Sequence, residues 1–313
     1  MTVYTGIATD YDDLLTELRD ALVLEGWTVN KEETIVSDRY IYFKGPDITV
    51  GLGTINVYIN IRRFRTTNFI LTGSLDPQRE QAYNWEIRGA TGYAGGSSFN
   101  TQPNVNPKTG TAVPTLTLSA ITTQYWFVIS NRRFIVIAKT ASVYPSLYAG
   151  LILPYATPSE YSYPLYISTS ASDTEMQYTN TTTGANTQGI AARTSGIGRP
   201  VEGASYLLNP NNTWFKPTLS AQNRPDNMWP VVNGSLGVNI QALSPDGNYT
   251  LTPITLFTST LGGVIWGELD GVYFTQGENN ASENTLTISA EPYACFQNHW
   301  QITRVNFFAI KMV

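Results

Sequence analysis

The stretch that decides the fold is residues 125–166, YWFVISNRRFIVIAKTASVYPSLYAGLILPYATPSEYSYPLY. Two apolar runs, Tyr125–Ile129 and Phe134–Ala138, flank a short polar link, which predicts a β-hairpin with Asn131 at positive φ in its turn. Both runs are rich in aromatic and β-branched side chains and are nearly continuous, a pattern typical of central strands covered on both faces. We therefore predict a buried central hairpin. Its nearly fully buried side chains are predicted to be Trp126, Val128, Phe134, Val136 and Ile137.

After the hairpin the chain is dominated by tyrosine and proline, from Tyr144 to Tyr166. Proline fixes φ and removes a backbone donor, so this Tyr/Pro ribbon is predicted to be extended rather than helical. Tyrosine rings pack on a protein body while their hydroxyls stay wet, and tyrosine is favoured at interfaces. We therefore predict that the ribbon contacts other chains. The candidate interface tyrosines are Tyr144, Tyr148, Tyr155, Tyr161 and Tyr163.

The composition is that of a folded, weakly charged β protein. Only 14% of the 313 residues are charged and 12% are aromatic, which is too apolar for a disordered chain. The net charge of −5 gives no overall attraction to nucleic acid. The single cysteine, Cys295, excludes an internal disulfide framework and a cysteine-based metal cluster. No signal peptide and no membrane span are predicted, so the chain is expected to be made in a cytoplasm.

One helix is predicted at Asp10–Glu25, capped by Thr9 or Asp10 and stopped by Gly26 in the left-handed conformation. Its acidic first turn suits the helix dipole, so capping explains these aspartates better than a calcium loop does. The apolar side chains recur at helical spacing, which indicates a helix that covers a sheet. They are Tyr11, Leu14, Leu15, Leu18 and Leu22.

Antiparallel strands are predicted on either side of Gly45-Pro46, over Thr34–Lys44 and Ile48–Ile61. Residues 76–112, rich in glycine and proline around Trp85, are predicted to form a long loop region.

Near the C-terminus, Val264–Glu268 and Val272–Thr275 are predicted as strands joined by a hairpin turn at Asp270-Gly271. The whole chain is therefore predicted to be mainly β: antiparallel, sandwich-like sheets with one N-terminal α-helix and long Gly/Pro loops.

Three parts are predicted along the chain: a helix and β domain at 1–167, a polar excursion or linker at 168–203, and a C-terminal β region at 204–313. The excursion has too little apolar surface to fold on its own. We therefore predict that it contacts other chains.

The basic side chains Arg62, Arg63 and Arg65 are the main charged cluster. With Phe64 between them they could hold a phosphate backbone. In a chain that is otherwise acidic, a solvated face or ion pairs with a neighbouring subunit explains them better. They are therefore candidate interface residues, and nucleic acid is not an expected partner.

Catalytic chemistry has little support in the residues. His299 is the only histidine, so a catalytic triad or an imidazole-rich metal site has a single residue to draw on. Glu268 and Asp270 fall on one face of a strand, as a glycosidase pair would, but turn geometry and a solvated strand position also explain them. We predict no catalytic, cofactor-binding or metal residues.

Several long segments resemble a family of virion structural proteins from tailed bacteriophages. The segments are YNWEIRGATGY (83–93), YWFVISNRRFIVIAKT (125–140), YAGLILPYATPSEYSYPLYI (148–167), WGELDGVYFTQGENNASENTLTI (266–288) and NFFAIKM (306–312).

This resemblance implies a non-enzymatic virion component in the tail, neck or baseplate, without cofactors, whose partners are other copies of itself and other virion proteins. A second interpretation is a host-surface or glycan-binding module of the same particle. A third is a glycan depolymerase that uses Glu268 and Asp270.

Overall fold

The structure, a computed structural model, describes most of the chain as antiparallel strands with one helix among the residues described. The mainly β fold class is therefore confirmed. The described residues are 1–51, 53–66, 82–107, 112–118, 120–140, 144–169, 171–173, 205–219, 251–258, 264–275, 280–297 and 307–313.

The described elements follow one another along the chain in an almost unbroken series of strands. They are β1 (Thr2–Ala8), α1 (Tyr11–Leu24), β2 (Thr28–Ile35), β3 (Asp38–Lys44), β4 (Ile48–Val50), β5 (Gly53–Ile55), β6 (Tyr58–Thr66), β7 (Ala82–Ala90), β8 (Ala112–Leu118), β9 (Thr123–Ile129), β10 (Arg133–Lys139), β11 (Ser146–Leu151), β12 (Leu153–Pro154), β13 (Leu165–Thr169), β14 (Ala171–Asp173), β15 (Ser205–Leu208), β16 (Trp214–Phe215), β17 (Thr218–Leu219), β18 (Thr252–Thr258), β19 (Val264–Thr275), β20 (Thr285–Ile288), β21 (Glu291–Gln297) and β22 (Phe307–Lys311).

The central sheet has the strand order β1-β9-β10-β11-β13-β15-β16. The predicted hairpin is its β9–β10 pair, with Phe134 opposite Ile129, and it is confirmed. Side chains alternate between two cores along each strand: Phe127 and Phe134 enter one core, and Trp126 and Ile135 enter the other. Both faces of this sheet are therefore buried. The five side chains predicted to be buried range from 0% to 8% exposed.

The turn of this hairpin differs from the prediction in its chemistry. Asn131 does not have positive φ. The Ser130 backbone N–H donates to the Arg133 carbonyl oxygen at 2.9 Å, and the Ser130 hydroxyl oxygen accepts from the backbone N–H of Arg132 at 3.2 Å. The serine side chain therefore stabilises the turn, and no left-handed residue is needed.

One face of the central sheet is covered by a six-stranded sheet, β14-β8-β7-β6-β3-β2, together with α1. We call this the helix-side layer. Asp10 caps α1 by accepting from the backbone N–H groups of Asp12 and Asp13 at 2.8 and 2.9 Å, and Gly26 has φ of +82°. The predicted helix, its cap and its stop are therefore confirmed. Its fully buried side chains are Leu14, Leu15, Leu18 and Leu22.

The other face is covered by the sheet β17-β18-β19-β22-β21-β20, with β12 also paired to β19. We call this the C-terminal layer. Strands that begin before residue 168 pair with strands that follow residue 203. In the central sheet β13 pairs with β15, and in the C-terminal layer β12 pairs with β19. Most of the predicted polar excursion, residues 170 and 174–203, lies outside the described residues.

Two predicted strands near the N-terminus are each interrupted. Thr34–Lys44 contains a two-residue turn at Val36-Ser37, where Ile35 pairs with Asp38 and Val36 has φ of +60°. Ile48–Ile61 contains the small β4–β5 hairpin before β6 begins. Alternation alone did not reveal these turns, because Val36 is β-branched and is not a typical turn former, and Gly51 and Gly53 lie inside an otherwise alternating run.

The predicted loop region 76–112 contains β7, which lies between β6 and β8 in the helix-side layer. Trp85 on β7 is fully buried. Asp76-Pro77 before this segment and the glycines and prolines after it suggested a loop, but the packing of Trp85 and Ile87 into the core favours a strand. Residues 91–107 do form a loop.

Asp270-Gly271 does not form a hairpin turn. It lies inside the continuous twelve-residue strand β19, where Gly271 has φ of +74°. The pairing with β18 shifts across this point, from Pro253 opposite Tyr273 to Thr255 opposite Glu268. The dipeptide therefore makes a bulge in a strand, which is the other use of a left-handed glycine in a sheet.

Candidate functional site

The Tyr/Pro ribbon is not a free surface in the folded chain. Tyr144, Tyr148 and Tyr161 are 6%, 0% and 2% exposed, and the ribbon supplies β11 and β13 of the central sheet. The expectation that these hydroxyls stay wet is wrong: the Tyr148 hydroxyl donates to the Leu151 carbonyl oxygen at 2.7 Å, and the Tyr161 hydroxyl donates to that of Leu208. The C-terminal layer covers these rings: Tyr144 and Tyr148 lie in the core that it forms with the central sheet, and Tyr161 packs on Trp266 of β19.

Two tyrosines of the ribbon keep some surface. Tyr155 is 59% exposed, and its hydroxyl donates to the Glu268 carboxylate at 3.1 Å. Tyr163 is half-buried, and its hydroxyl lies 2.8 Å from the carbonyl oxygen of Asn56 and 3.1 Å from that of Ala90. For these two residues a contact with another chain stays a prediction.

The arginine cluster on β6 makes its ion pairs within the chain. Arg62 lies 2.7 Å from the Asp38 carboxylate, and Arg63 lies 3.0 Å from that of Asp12 at the start of α1. Arg65 is exposed and lies over the Tyr83 ring. Arg62 and Arg63 therefore have carboxylate partners within the chain, and a contact of this cluster with a neighbouring subunit stays a prediction. These two side chains brace the helix-side layer.

A buried charge network continues from Arg62 across the outer face of this layer. The Glu86 carboxylate lies 3.3 Å from Arg62 and 2.6 Å from Arg88, and Glu86 and Arg88 are each 1% exposed. Arg88 also donates to the carbonyl oxygen of Asn106 at 2.7 Å. Glu86 therefore neutralises an otherwise costly buried cation, and the loop that contains Asn106 accepts one of its hydrogen bonds.

Strand β10 begins and ends with a cation, and each cation reaches the C-terminal layer. Arg133 is fully buried, and its Nε lies 3.4 Å from the Asp270 carboxylate. Its guanidinium also occupies the space that a side chain at Gly271 would need. The Asp-Gly pair is therefore explained by this contact between sheets.

At the other end of β10, the Lys139 ammonium lies 2.5 Å from the Glu283 carboxylate, which also accepts from the Tyr144 hydroxyl at 2.6 Å. Burial alone would raise the pKa of Glu283, but the hydrogen bonds from Lys139 and Tyr144 outweigh it and hold the pKa below its ordinary value. Burial and the Glu283 carboxylate raise the pKa of Tyr144 well above its ordinary value. Lys139 and Glu283 therefore form a second ionic contact between the two sheets.

The long outer strands of two sheets, β1 and β2, differ in how they are protected against pairing with another chain. In the described part of the chain, β1 pairs on one side only, with β9, and β2 pairs only with β3. The sequence of β2 contains Lys31, Glu32 and Glu33 and its pairing has a register shift, whereas β1, TVYTGIA, has no charge, no proline and an unbroken register. On β1, Ile7 is 70% exposed. Charges and bulges normally prevent edge strands from pairing with other chains, so within the described part of the chain β1 is an open edge.

An open cleft of about 350 Å³ lies where the β4–β5 hairpin, the start of β6 and the loop between β15 and β16 meet. Among the described residues that line it, none is charged. Its lining residues are Thr54, Ile55, Asn56, Tyr58, Thr91, Tyr163 and Asn212. Apart from Tyr163, none of these was singled out from the sequence, because they come from separate stretches that only the fold brings together.

The other residues considered as catalytic or metal-binding candidates give less support for a functional site. Glu268 and Asp270 are each engaged within the chain, by Tyr155 and by Arg133. His299 lies outside the described residues. Where the structure describes the chain, no group of three or more His, Cys, Asp or Glu side chains is placed to hold a metal ion. Among these residues there is also no helix with the length and apolar character needed to cross a membrane.

No protein-family model matches the chain, and no curated protein matches its sequence.

Proposed function

We propose that this chain is a non-enzymatic structural protein of a tailed-phage virion, in the tail, neck or baseplate, that acts through contacts with other subunits. The resemblance of its long β segments to virion proteins supports the first part of this proposal. The observation that carries the second part is the open edge of β1.

An edge strand without charge, proline or bulge exposes a row of backbone donors and acceptors to any strand that approaches it. β1 is seven residues long, which is a typical strand length. It is the outer strand of the central sheet. Pairing there would extend that sheet into a neighbouring subunit by main-chain hydrogen bonds, with Ile7 adding apolar contact. We therefore place the principal subunit contact at β1.

The charges of the chain fit the same proposal. Arg62, Arg63 and Arg133 already form ion pairs with carboxylates of the same chain, so a charged partner would have to compete with those carboxylates. Subunit contacts would then depend on backbone pairing and apolar side chains, as in permanent rather than transient interfaces.

The contact can be tested with the purified chain by measuring its mass over a range of concentrations by light scattering. We expect the wild-type chain to associate, and we expect Thr5→Lys on β1 to prevent association, since a charge on an edge strand blocks pairing. Thr34→Lys is the matched control, because Thr34 is also exposed on an edge strand, β2, that already contains charges. A wild-type chain that stays monomeric at every concentration, or equal association of the two variants, would refute the contact.

The location can be tested separately by quantitative mass spectrometry of purified particles of the phage that encodes the chain. We expect a constant copy number per particle and, with labelled antibody fragments, electron-microscopic density at the tail, neck or baseplate. A chain that accumulates in infected cells but is missing from particles would contradict the virion role.

Two other functions have distinct tests. A depolymerase would release reducing sugar from host polysaccharide and lose that activity in Glu268→Gln. We expect no release, because Glu268 and Asp270 are engaged with Tyr155 and Arg133.

A glycan-binding role without hydrolysis has one observation in its favour, the uncharged cleft.

A further inference from the structure

We propose that the cleft between the β4–β5 hairpin and the 209–213 loop is a binding site for a neutral saccharide of one or two rings. This site is independent of the β1 contact. The proposal depends on three features of the cleft: the chemistry of its lining, the rigidity of its walls and its size.

The lining combines uncharged hydrogen-bonding groups with aromatic rings. Thr54, Thr91 and Asn212 supply hydroxyl and amide groups, and Tyr58 supplies a half-buried ring. A sugar needs both kinds of group, because its hydroxyls take up donors and acceptors while its C–H face packs on an aromatic ring. Because the described lining residues include no cation, a phosphate, sulfate or carboxylate would find no charged partner among them.

Asn56 is oriented with one polar atom available. Its Nδ2 donates to the Asp47 carboxylate at 2.7 Å and to the carbonyl oxygen of Gly45 at 3.2 Å. These bonds fix the amide, and among the described residues no hydrogen bond to its Oδ1 is found, so this oxygen can act as an acceptor. A fixed acceptor on a residue that lines the cleft is suited to a sugar hydroxyl, which can donate to it.

The loop that presents Asn212 is braced on both sides. The Asn209 side chain accepts from the backbone N–H groups of Asn211 and Thr213 at 3.0 and 2.9 Å. The carbonyl oxygen of Asn212 accepts from Asn104 at 3.1 Å, and Asn212 itself has φ of +57°, which asparagine tolerates better than most residues. A rigid wall reduces the entropy that binding would otherwise cost.

The floor of the cleft is fixed by Tyr163. Its hydroxyl is within hydrogen-bonding distance of the carbonyl oxygens of Asn56 and Ala90, which join the start of β6 to the end of β7. Burial raises the pKa of Tyr163 well above its ordinary value, so the floor stays uncharged at any physiological pH.

The volume of about 350 Å³ limits the ligand. It is near the lower end of ordinary small-molecule sites, which begin at roughly 300 Å³. The cleft is also open, so a longer chain of sugars could continue into solvent while one or two rings occupy it. Affinity for such a short ligand on an open surface is expected to be in the millimolar range, about −4 kcal/mol.

The test is saturation-transfer NMR on the intact chain with maltose, lactose, cellobiose and N,N′-diacetylchitobiose as separate probes, and glucuronic acid as a charged comparison. We expect saturation of the ring protons of at least one neutral disaccharide and none for glucuronic acid. Tyr58→Ala should weaken that binding by about tenfold, which corresponds to roughly 1.4 kcal/mol, whereas Tyr58→Phe should keep it.

Two further variants separate binding from folding. Thr54→Lys changes an exposed residue and places a cation in the cleft without disturbing the core, so it should abolish binding while the unfolding midpoint stays unchanged. Tyr155→Ala removes an exposed tyrosine outside the cleft and should bind like the wild-type chain. The proposal is overturned if no neutral disaccharide is saturated, if glucuronic acid binds as well, or if Thr54→Lys binds undiminished.

Discussion

The two faces of the central sheet are built differently. The face toward the helix-side layer is joined mainly by apolar packing, with side chains such as Phe134 and Val136 in one core with those of α1 and the strands of that layer. The face toward the C-terminal layer is also apolar at its centre, but the two ends of β10 add cations, Arg133 and Lys139, that meet carboxylates across the gap.

This difference shows two ways of joining sheets. Apolar packing contributes most of the free energy that stabilises the fold. It is non-directional, so by itself it only weakly fixes the position of one sheet on another. An ion pair contributes less, but it is satisfied in only one register, because a shift would leave a buried charge without its partner. We therefore interpret Arg133 and Lys139 as residues that fix the position of the C-terminal layer on a face that apolar packing already stabilises.

The largest expected effect lies on the apolar face. Phe134 is fully buried and packs edge-on against Trp27 at 5.4 Å between ring centres. Phe134→Ala should lower the free energy of unfolding by about 3–5 kcal/mol, measured by urea denaturation, because it removes a large side chain and leaves a cavity. Phe134→Leu should lose much less. A loss below about 1.5 kcal/mol for the alanine variant would mean that this face is not the main source of stability.

The next effect tests the buried ion pair on the opposite face. Asp270→Ala should cost about 2 kcal/mol, less than the roughly 3–5 kcal/mol of a fully buried pair, because the Asp270 side chain is 26% exposed. The double variant Arg133→Met with Asp270→Ala should be more stable than Asp270→Ala alone, since no buried charge is left unpaired. Glu33→Ala, in a more exposed pair with Lys31, is the control and should change stability by less than about 1 kcal/mol. Simple additivity of the two single changes would contradict a specific pair.

The smallest effect is expected at Glu283 and depends on pH. Its pKa is lowered in the folded chain, so its contribution is complete above the ordinary glutamate pKa of about 4.3 and is lost as the pH falls through the lowered value. Glu283→Gln should therefore cost about 1 kcal/mol at pH 7 and nearly nothing under acid conditions, measured as the difference in unfolding free energy between variant and wild type. Tyr144→Phe removes one of the two hydrogen bonds to Glu283 and should reproduce part of that pH dependence. A difference that is the same at pH 7 and pH 3 would show that Glu283 makes no charge-dependent contact.

The sequence predicted the parts of the fold that depend on local pattern. The two-sided apolar runs of the β9–β10 hairpin could be recognised because both faces of a central strand are buried, whatever covers them. The helix was equally clear, because all of its signals lie in one short segment. They are the Asp10 cap, the spacing of the leucines and Gly26 at the end. These signals are strong because the interactions that they reflect are short in sequence.

The turns were harder to predict because local signals are ambiguous. Asp270-Gly271 has the composition of a hairpin turn, and only Arg133, 137 positions earlier in the chain, explains why it is a bulge beside a buried cation. Val36-Ser37 begins with a β-branched residue that is disfavoured at positive φ, and yet it connects β2 to β3. In both cases the pairing of strands outweighed the preference of the dipeptide.

The sequence by itself determined that this chain is mainly β, that the hairpin beginning at Tyr125 is central, and that Asp10–Glu25 is an amphipathic helix, because periodicity and capping are local properties. Only the tertiary structure decided that Tyr148 and Tyr161 are buried and that the uncharged cleft exists. The physical reason is that burial of a tyrosine or the shape of a cleft depends on which distant strands pack against it, and a tyrosine is equally suited to a core and to an interface.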